Sequence, residues 1–230
     1  MNKNRLGYLV MLGIIPLLIA AGVVLLHDRK YQIISILLAF LACVPFFISF
    51  EMREPNVREM VVLAVMTALS VAGRFLFAMV PGFKPVTAIV VITAIHFGPQ
   101  AGFLTGALSA VLSNIYFGQG PWTPFQMFVW GLLGLLAGLL AKHGWLQSRL
   151  ALSLYGLLAG AAFSLLMDVW TVLAMDGTFA PMRYLVAVSS SFFFMAIYAV
   201  SNVVFLLTLS EPIGEKLERI KIKYGLMDTD

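Results

Sequence analysis

The chain has 230 residues, of which 61% are hydrophobic and only 11% charged, with a formal net charge of +4. Soluble domains are roughly 25% charged, so this composition excludes a water-soluble globular domain and indicates a polytopic all-α membrane protein. The basic residues are scattered at helix ends and form no groove-like patch, which argues for membrane topology and against nucleic-acid binding. Cys43 is the single cysteine, so no disulfide within the chain and no cysteine-based metal cluster is expected.

About 20 apolar residues cross a hydrocarbon core. In chain order, that rule predicts spans at 7–26 and 31–50, joined by the tight HDRK turn into an N-terminal hairpin. Lys3 and Arg5 before the first run resemble the start of a signal peptide. The run is longer than a typical h-region of about 7–15 residues and lacks an A-x-A cleavage pattern, so a retained helix is expected. The polar stretch EMREPNVRE, 51–59, is read as a linker. Six core spans follow, at 60–80, 86–97, 101–117, 124–141, 150–175 and 183–209, within a core of 60–210. A charged amphipathic tail, 211–230, closes the chain. The 86–97 span is short for a crossing and is expected to be tilted, broken or partly extended.

With the N-terminus inside, ten Lys and Arg residues fall on the cytoplasmic side and five on the outer side. The excess predicts both termini in the cytoplasm.

Small residues recur at four-residue spacing: Ala64, Ala68 and Ala72; Gly102, Gly106 and Ala110; Gly134 and Gly138. Such rows let helix backbones approach closely. Charge at membrane depth costs roughly 2.5–3.5 kcal/mol per residue on insertion scales, so it is normally partnered or lines a wet cavity. Arg74 and Asp168 lie about 21 and 27 Å from the cytoplasmic starts of their helices at 1.5 Å per residue, which puts both in the outer half. They are candidates for an ion pair. Asn114, Gln126, Trp130 and the Ser189–Ser191 run reach the same layer, and Lys84 in PGFKPVT overhangs it. The turn FGQGPWTPFQ brings Gln119 and Trp122 to the membrane edge. Together these residues describe an outward pocket with donors, acceptors and aromatic faces. Asn202 falls nearer the cytoplasm and is read as helix-packing glue.

The alanine-spaced helix and the stretch RFLFAMVPGFKPVTAIVVITAIHFGPQAGFLTGALSAVLSNIYFGQGPWTPFQMFVWGLLGLLAGLL resemble the substrate-binding S component of energy-coupling factor transporters. The resemblance covers about 57–210 and implies a six-helix S-component core, here preceded by the two-helix hairpin. It implies a non-enzymatic subunit, without cofactor, that captures a vitamin or vitamin precursor from outside. It also implies association with a transmembrane coupling subunit and two cytoplasmic ATPases. FGQGPWTPFQM looks most like S components assigned to cobalamin or its precursors. Substrate contacts are then expected at Arg74, Lys84, Asn114, Gln119, Trp122, Gln126, Trp130, Asp168 and Ser190. Ala64, Ala68 and Ala72, beside Leu69 and Val71, are expected to dock the coupling subunit. The chain carries no G-x-x-x-x-G-K-[ST] loop, so energy for active transport would come from partners. His96, His143 and Asp168 form no known catalytic constellation. A stand-alone ion-coupled carrier is the alternative, with one Arg–Asp pair as a sparse ion pathway and no clear inverted repeat.

Overall fold

A computed structural model describes residues 43, 44, 47 and 57–226. The expected N-terminal hairpin, and the linker up to residue 56, lie outside the described residues, apart from those three positions. Cys43 is buried.

Five helices follow in order: α1 (Val57–Leu76), α2 (Val86–Phe117), α3 (Thr123–Lys142), α4 (Arg149–Asp176) and α5 (Pro181–Tyr224). All five are long and apolar enough to cross a membrane. The architecture is all-helical among the described residues. The six expected core spans appear as five helices because 86–97 and 101–117 belong to one element, broken at Gly98.

That break is a reversal of direction. Gly98 adopts φ 87° and ψ 176°, a combination that only glycine enters without steric cost. Pro99 follows, and its missing N–H costs nothing where a new helical segment begins. In a straight helix, residues eight apart are separated by about 12 Å. Here a Cβ added to Gly102 would strike the Cβ of Ala94, so the two halves of α2 fold against each other.

Lipid tails are as apolar as leucine, so helices in a membrane associate through close packing and hydrogen bonds. The glycine rows serve that purpose. A Cβ on Gly102 would lie 2.8 Å from the carbonyl oxygen of Gly134, and one on Gly106 would lie 2.5 Å from the backbone of Trp130. A Cβ on Gly138 would lie 2.5 Å from the Cα of Pro99. The second half of α2 and α3 thus run antiparallel with backbones nearly touching. The first half of α2 is buried without interruption from Val86 to Ala94 and forms the centre of the bundle. By contrast, α1, α4 and α5 expose Val65, Leu69, Leu158, Val186 and Phe193. That is the pattern of helices facing lipid or a partner.

Polar clips fix the register. Asn202 is fully buried and donates to the carbonyl of Gly156 at 3.3 Å, the packing role its position suggested. Tyr155 donates to the carbonyl of Leu133. The charged stretch from Glu211 onward continues α5 as far as Tyr224 and packs on the body. Gly214 lies against His96, the His96 ring stands 3.7 Å from Glu218, and Arg58 donates to the Tyr224 carbonyl. One end of the bundle therefore carries the 77–85, 118–122 and 177–180 connections. The opposite end carries the Gly98 reversal, the 143–148 connection and the charged close of α5.

Candidate ligand-binding site

The polar residues at the first end converge on Trp130. Its indole is fully buried on α3 and stacks on Phe163 of α4 at 5.1 Å between ring centres, tilted by 19°. Its N–H donates to the hydroxyl of Tyr198 on α5 at 2.9 Å. Tyr198 shares a 2.6 Å bond with Thr87 at the start of α2. Trp130, Phe163 and Tyr198 thus form a rigid aromatic wall drawn from three helices.

Two cations face that wall. Arg74, one turn from the end of α1, holds its guanidinium carbon 5.3 Å from the Trp130 ring centre and 4.5 Å from that of Phe117. Lys84 lies in the α1–α2 connection, with its ammonium 5.0 Å from the Tyr198 ring and 5.6 Å from both Trp130 and Phe163. Ser201 fixes the Lys84 backbone on both sides, accepting from its N–H at 2.9 Å and donating to its carbonyl at 3.2 Å. Burial, and after it the charge of Arg74, pushes the Lys84 ammonium down to about 7.

Asn114 organises the other side of Arg74. Its side-chain oxygen accepts from Arg74 Nη1 at 2.8 Å, and its amide donates to Gln126 at 2.7 Å and to Thr123 at 3.0 Å. Arg74 Nη1 also donates to the Ser113 hydroxyl. Thr123 in turn donates to Gln119, whose own amide donates to the Val111 carbonyl at 2.7 Å. Gln119 therefore ties the 118–122 turn to the end of α2.

Arg74, Lys84, Asn114, Gln119, Gln126 and Trp130 are thus joined in one network. Trp122 stays at the rim, partly exposed, with its ring against Gly120 where any Cβ would collide. Asp168 and Ser190 are elsewhere. They line a cleft of about 390 Å³ between α4 and α5, with Thr171, Asp176, Arg183 and Ser191. The candidate ion pair between Arg74 and Asp168 does not form. Asp168 accepts from Ser191 across the α4–α5 interface, while Arg74 turns to Ser113 and Asn114. Asp176 pairs with Arg183 at 3.1 Å, and Ser190 bonds back to the Val186 carbonyl of its own helix. Depth along a helix put Arg74 and Asp168 in one layer, but depth carries no information about which face each presents.

Sequence reasoning missed Thr87, Ser113, Phe117, Thr123, Phe163, Tyr198 and Ser201. Tyr198 and Phe163 sit inside apolar runs, where an aromatic reads as ordinary core. The usable signal was the tyrosine hydroxyl, which needs a partner when buried.

Together these features define a multi-pass helical membrane protein with a two-cation, ring-walled polar cluster at one end of the bundle. The chain belongs to the family of ECF-type riboflavin transporter S components, whose family model matches residues 54–219. That family is a transporter component and not an enzyme. Neither a curated relative nor a solved structure matches the chain.

Proposed function

We propose that the chain is the substrate-binding subunit of an energy-coupling factor importer in the cytoplasmic membrane, capturing a vitamin or vitamin precursor at the Arg74–Lys84–Trp130 cluster. The observation that carries this reading is the convergence of two cations and an amide network on one aromatic wall, in a chain of the S-component family. An unused polar cluster of this kind is costly inside a membrane, and ligand binding gives it a purpose.

The cluster end faces outward in this reading. Among the described residues the opposite end carries Arg58, Lys142, Arg149, Lys216, Arg219, Lys221 and Lys223, and the cluster end only Arg74, Lys84 and Arg183. That excess supports a cytoplasmic C-terminus. Ligand arriving from outside then meets the rim residues Gln119 and Trp122 first. Asn114 and Gln126 hold Arg74 in position, and Trp130, Phe163 and Tyr198 supply the stacking faces. Asp168 and Ser190 border the neighbouring cleft and contribute less.

Delivery requires partners: a transmembrane coupling subunit and two cytoplasmic ATPases. Ala64, Ala68 and Ala72 lie exposed along one face of α1, beside Val61, Val65 and Leu69, as a close-approach docking surface requires. Two ligand classes stand behind the reading. The 117–127 segment leans towards a corrinoid, and the family description towards riboflavin. The flat aromatic faces around Lys84 favour a planar-ring vitamin.

The test is native mass spectrometry of the purified, detergent-solubilised protein, followed by calorimetry with each compound found. One vitamin-like molecule bound stoichiometrically, and weakened at least tenfold by Arg74→Gln, is the expected result. A folded sample that binds nothing from a broad vitamin panel contradicts it.

A further inference from the structure

We infer that the ligand of the Arg74–Lys84 cluster is an organic anion, a planar ring system carrying a carboxylate or a phosphate. This rests on the substrate-capture reading above and narrows it to a charge class.

Charge balance points to an anion. Arg74 and Lys84 lie over the same indole, at 5.3 and 5.6 Å from its centre. Among the described residues no Asp or Glu pairs with either. Among the described residues, Glu218, Glu211, Asp176 and Glu215 are committed to other bases. Asp168, buried in the α4–α5 interface, accepts from Ser191. Two like charges drawn out of water repel each other, and the ring faces compensate them only in part. An anion between them removes the repulsion. With a neutral ligand the repulsion is relieved only by loss of the Lys84 proton.

Donor geometry points the same way. A guanidinium offers five N–H donors in a fixed fork. Among the described residues both hydrogen bonds from Arg74 leave Nη1, to Ser113 and Asn114, and Nε and Nη2 have no acceptor. That is the edge with which arginine takes a carboxylate or phosphate in bidentate fashion. Among the described residues the Lys84 ammonium meets three ring faces and no hydrogen-bond acceptor, so its donors are open to an incoming oxygen. Asn114, held from behind by Gln126 and Thr123, fixes the Arg74 fork in advance of binding.

The α4–α5 cleft at the same end of the bundle is different. It holds Asp168 and Asp176 with Arg183, and its charges are already answered by Ser191 and by each other. Among the described residues, the Arg74–Lys84 cluster presents its two cations with no acid beside them.

Matched pairs of compounds that share a ring and differ in charge test the inference. The full chain, in detergent or nanodiscs, is titrated by calorimetry with riboflavin and riboflavin 5′-phosphate, nicotinamide and nicotinate, and pyridoxal and pyridoxal 5′-phosphate. In at least one pair the anionic member is expected to bind ten-fold or more tightly than its neutral partner. Lys84→Met should erase that preference and Lys84→Arg should keep most of it. If in every pair that binds the neutral member is as tight as its anionic partner, or tighter, the charge inference is overturned while substrate capture stays intact. If no member of any pair binds and a corrinoid does, the inference falls and the capture reading stands. If nothing binds at all, both fall. The decision comes from the wild-type chain, so a variant that fails to fold does not obscure it.

Discussion

Asn114 is fully buried and serves three partners, accepting from the Arg74 guanidinium and donating to Gln126 and Thr123. Replacing it with alanine removes all three bonds at once. The bond to a charged group is worth about 1.5–3 kcal/mol. Each neutral bond inside a membrane averages about 0.6 kcal/mol. Thr123 retains Gln119, and half-buried Gln126 can turn to the rim, so little further desolvation cost is expected from those two. Asn114→Ala should therefore destabilise the protein by about 3–4 kcal/mol, with the Arg74 bond as the largest part. A double-mutant cycle with Arg74→Met, read by equilibrium unfolding in mixed micelles, isolates that part and should give a coupling of about 1.5–3 kcal/mol. A coupling below about 0.5 kcal/mol would show that Asn114 does not hold the guanidinium, because contacting residues normally couple by more than that.

Other outcomes follow from the same structure. Gly106→Val forces a side chain into the Trp130 backbone and should cost about 1–3 kcal/mol, seen as a lower thermal midpoint together with weaker ligand binding. A wild-type midpoint would contradict the close helix contact. Ala68→Trp should leave ligand affinity unchanged and abolish co-purification with the coupling subunit; intact co-purification would remove α1 from the docking surface. Lys84 supplies a pH dependence, and the charged or titratable groups facing it are Arg74 and Tyr198. Its folded value of about 7 lies below the ordinary 10.5, so the folded state binds fewer protons between those values. Stability from this group accordingly rises with pH across that window. An anion that pairs with Lys84 restores its proton, so binding at pH 8 should take up close to one proton and at pH 6 almost none. Calorimetry in buffers of different ionisation heat reads this directly, and buffer-independent enthalpies at pH 8 would refute it. Asp168→Asn and Ser190→Ala should lower affinity less than Arg74→Gln does, and the reverse order would move the site to the α4–α5 cleft.

Much of the fold was legible because apolar run length and glycine spacing are one-dimensional signals. The predicted contact rows at Gly102, Gly106, Gly134 and Gly138 are the places where α2 meets α3. The break at Gly98 was legible as a turn between spans 86–97 and 101–117, while the direct packing of the two halves, Gly102 on Ala94, was not. The continuation of α5 through Pro212 to Tyr224 was read as a tail because charge density rises there. What keeps it on the body is tertiary: His96 and Arg58 reach it from α2 and α1. At the site, unusual residues for a membrane span announced themselves, and Asn114 proved to bridge Arg74 and Gln126. Asp168 announced itself equally well and belongs to a different interface, because hydropathy reports depth and not azimuth. Tyr198 and Phe163 gave no signal of this kind, since aromatics are ordinary occupants of apolar helices.

The central claim is that this chain captures a solute for an ATP-driven importer. The most direct measurement is uptake of the bound vitamin into proteoliposomes that hold the chain with its coupling subunit and two ATPases. The account predicts uptake that requires ATP hydrolysis and all four components, and that is lost with Arg74→Gln. Uptake by the chain alone, driven by a proton or ion gradient without the ATPases, would contradict it and establish a self-sufficient carrier.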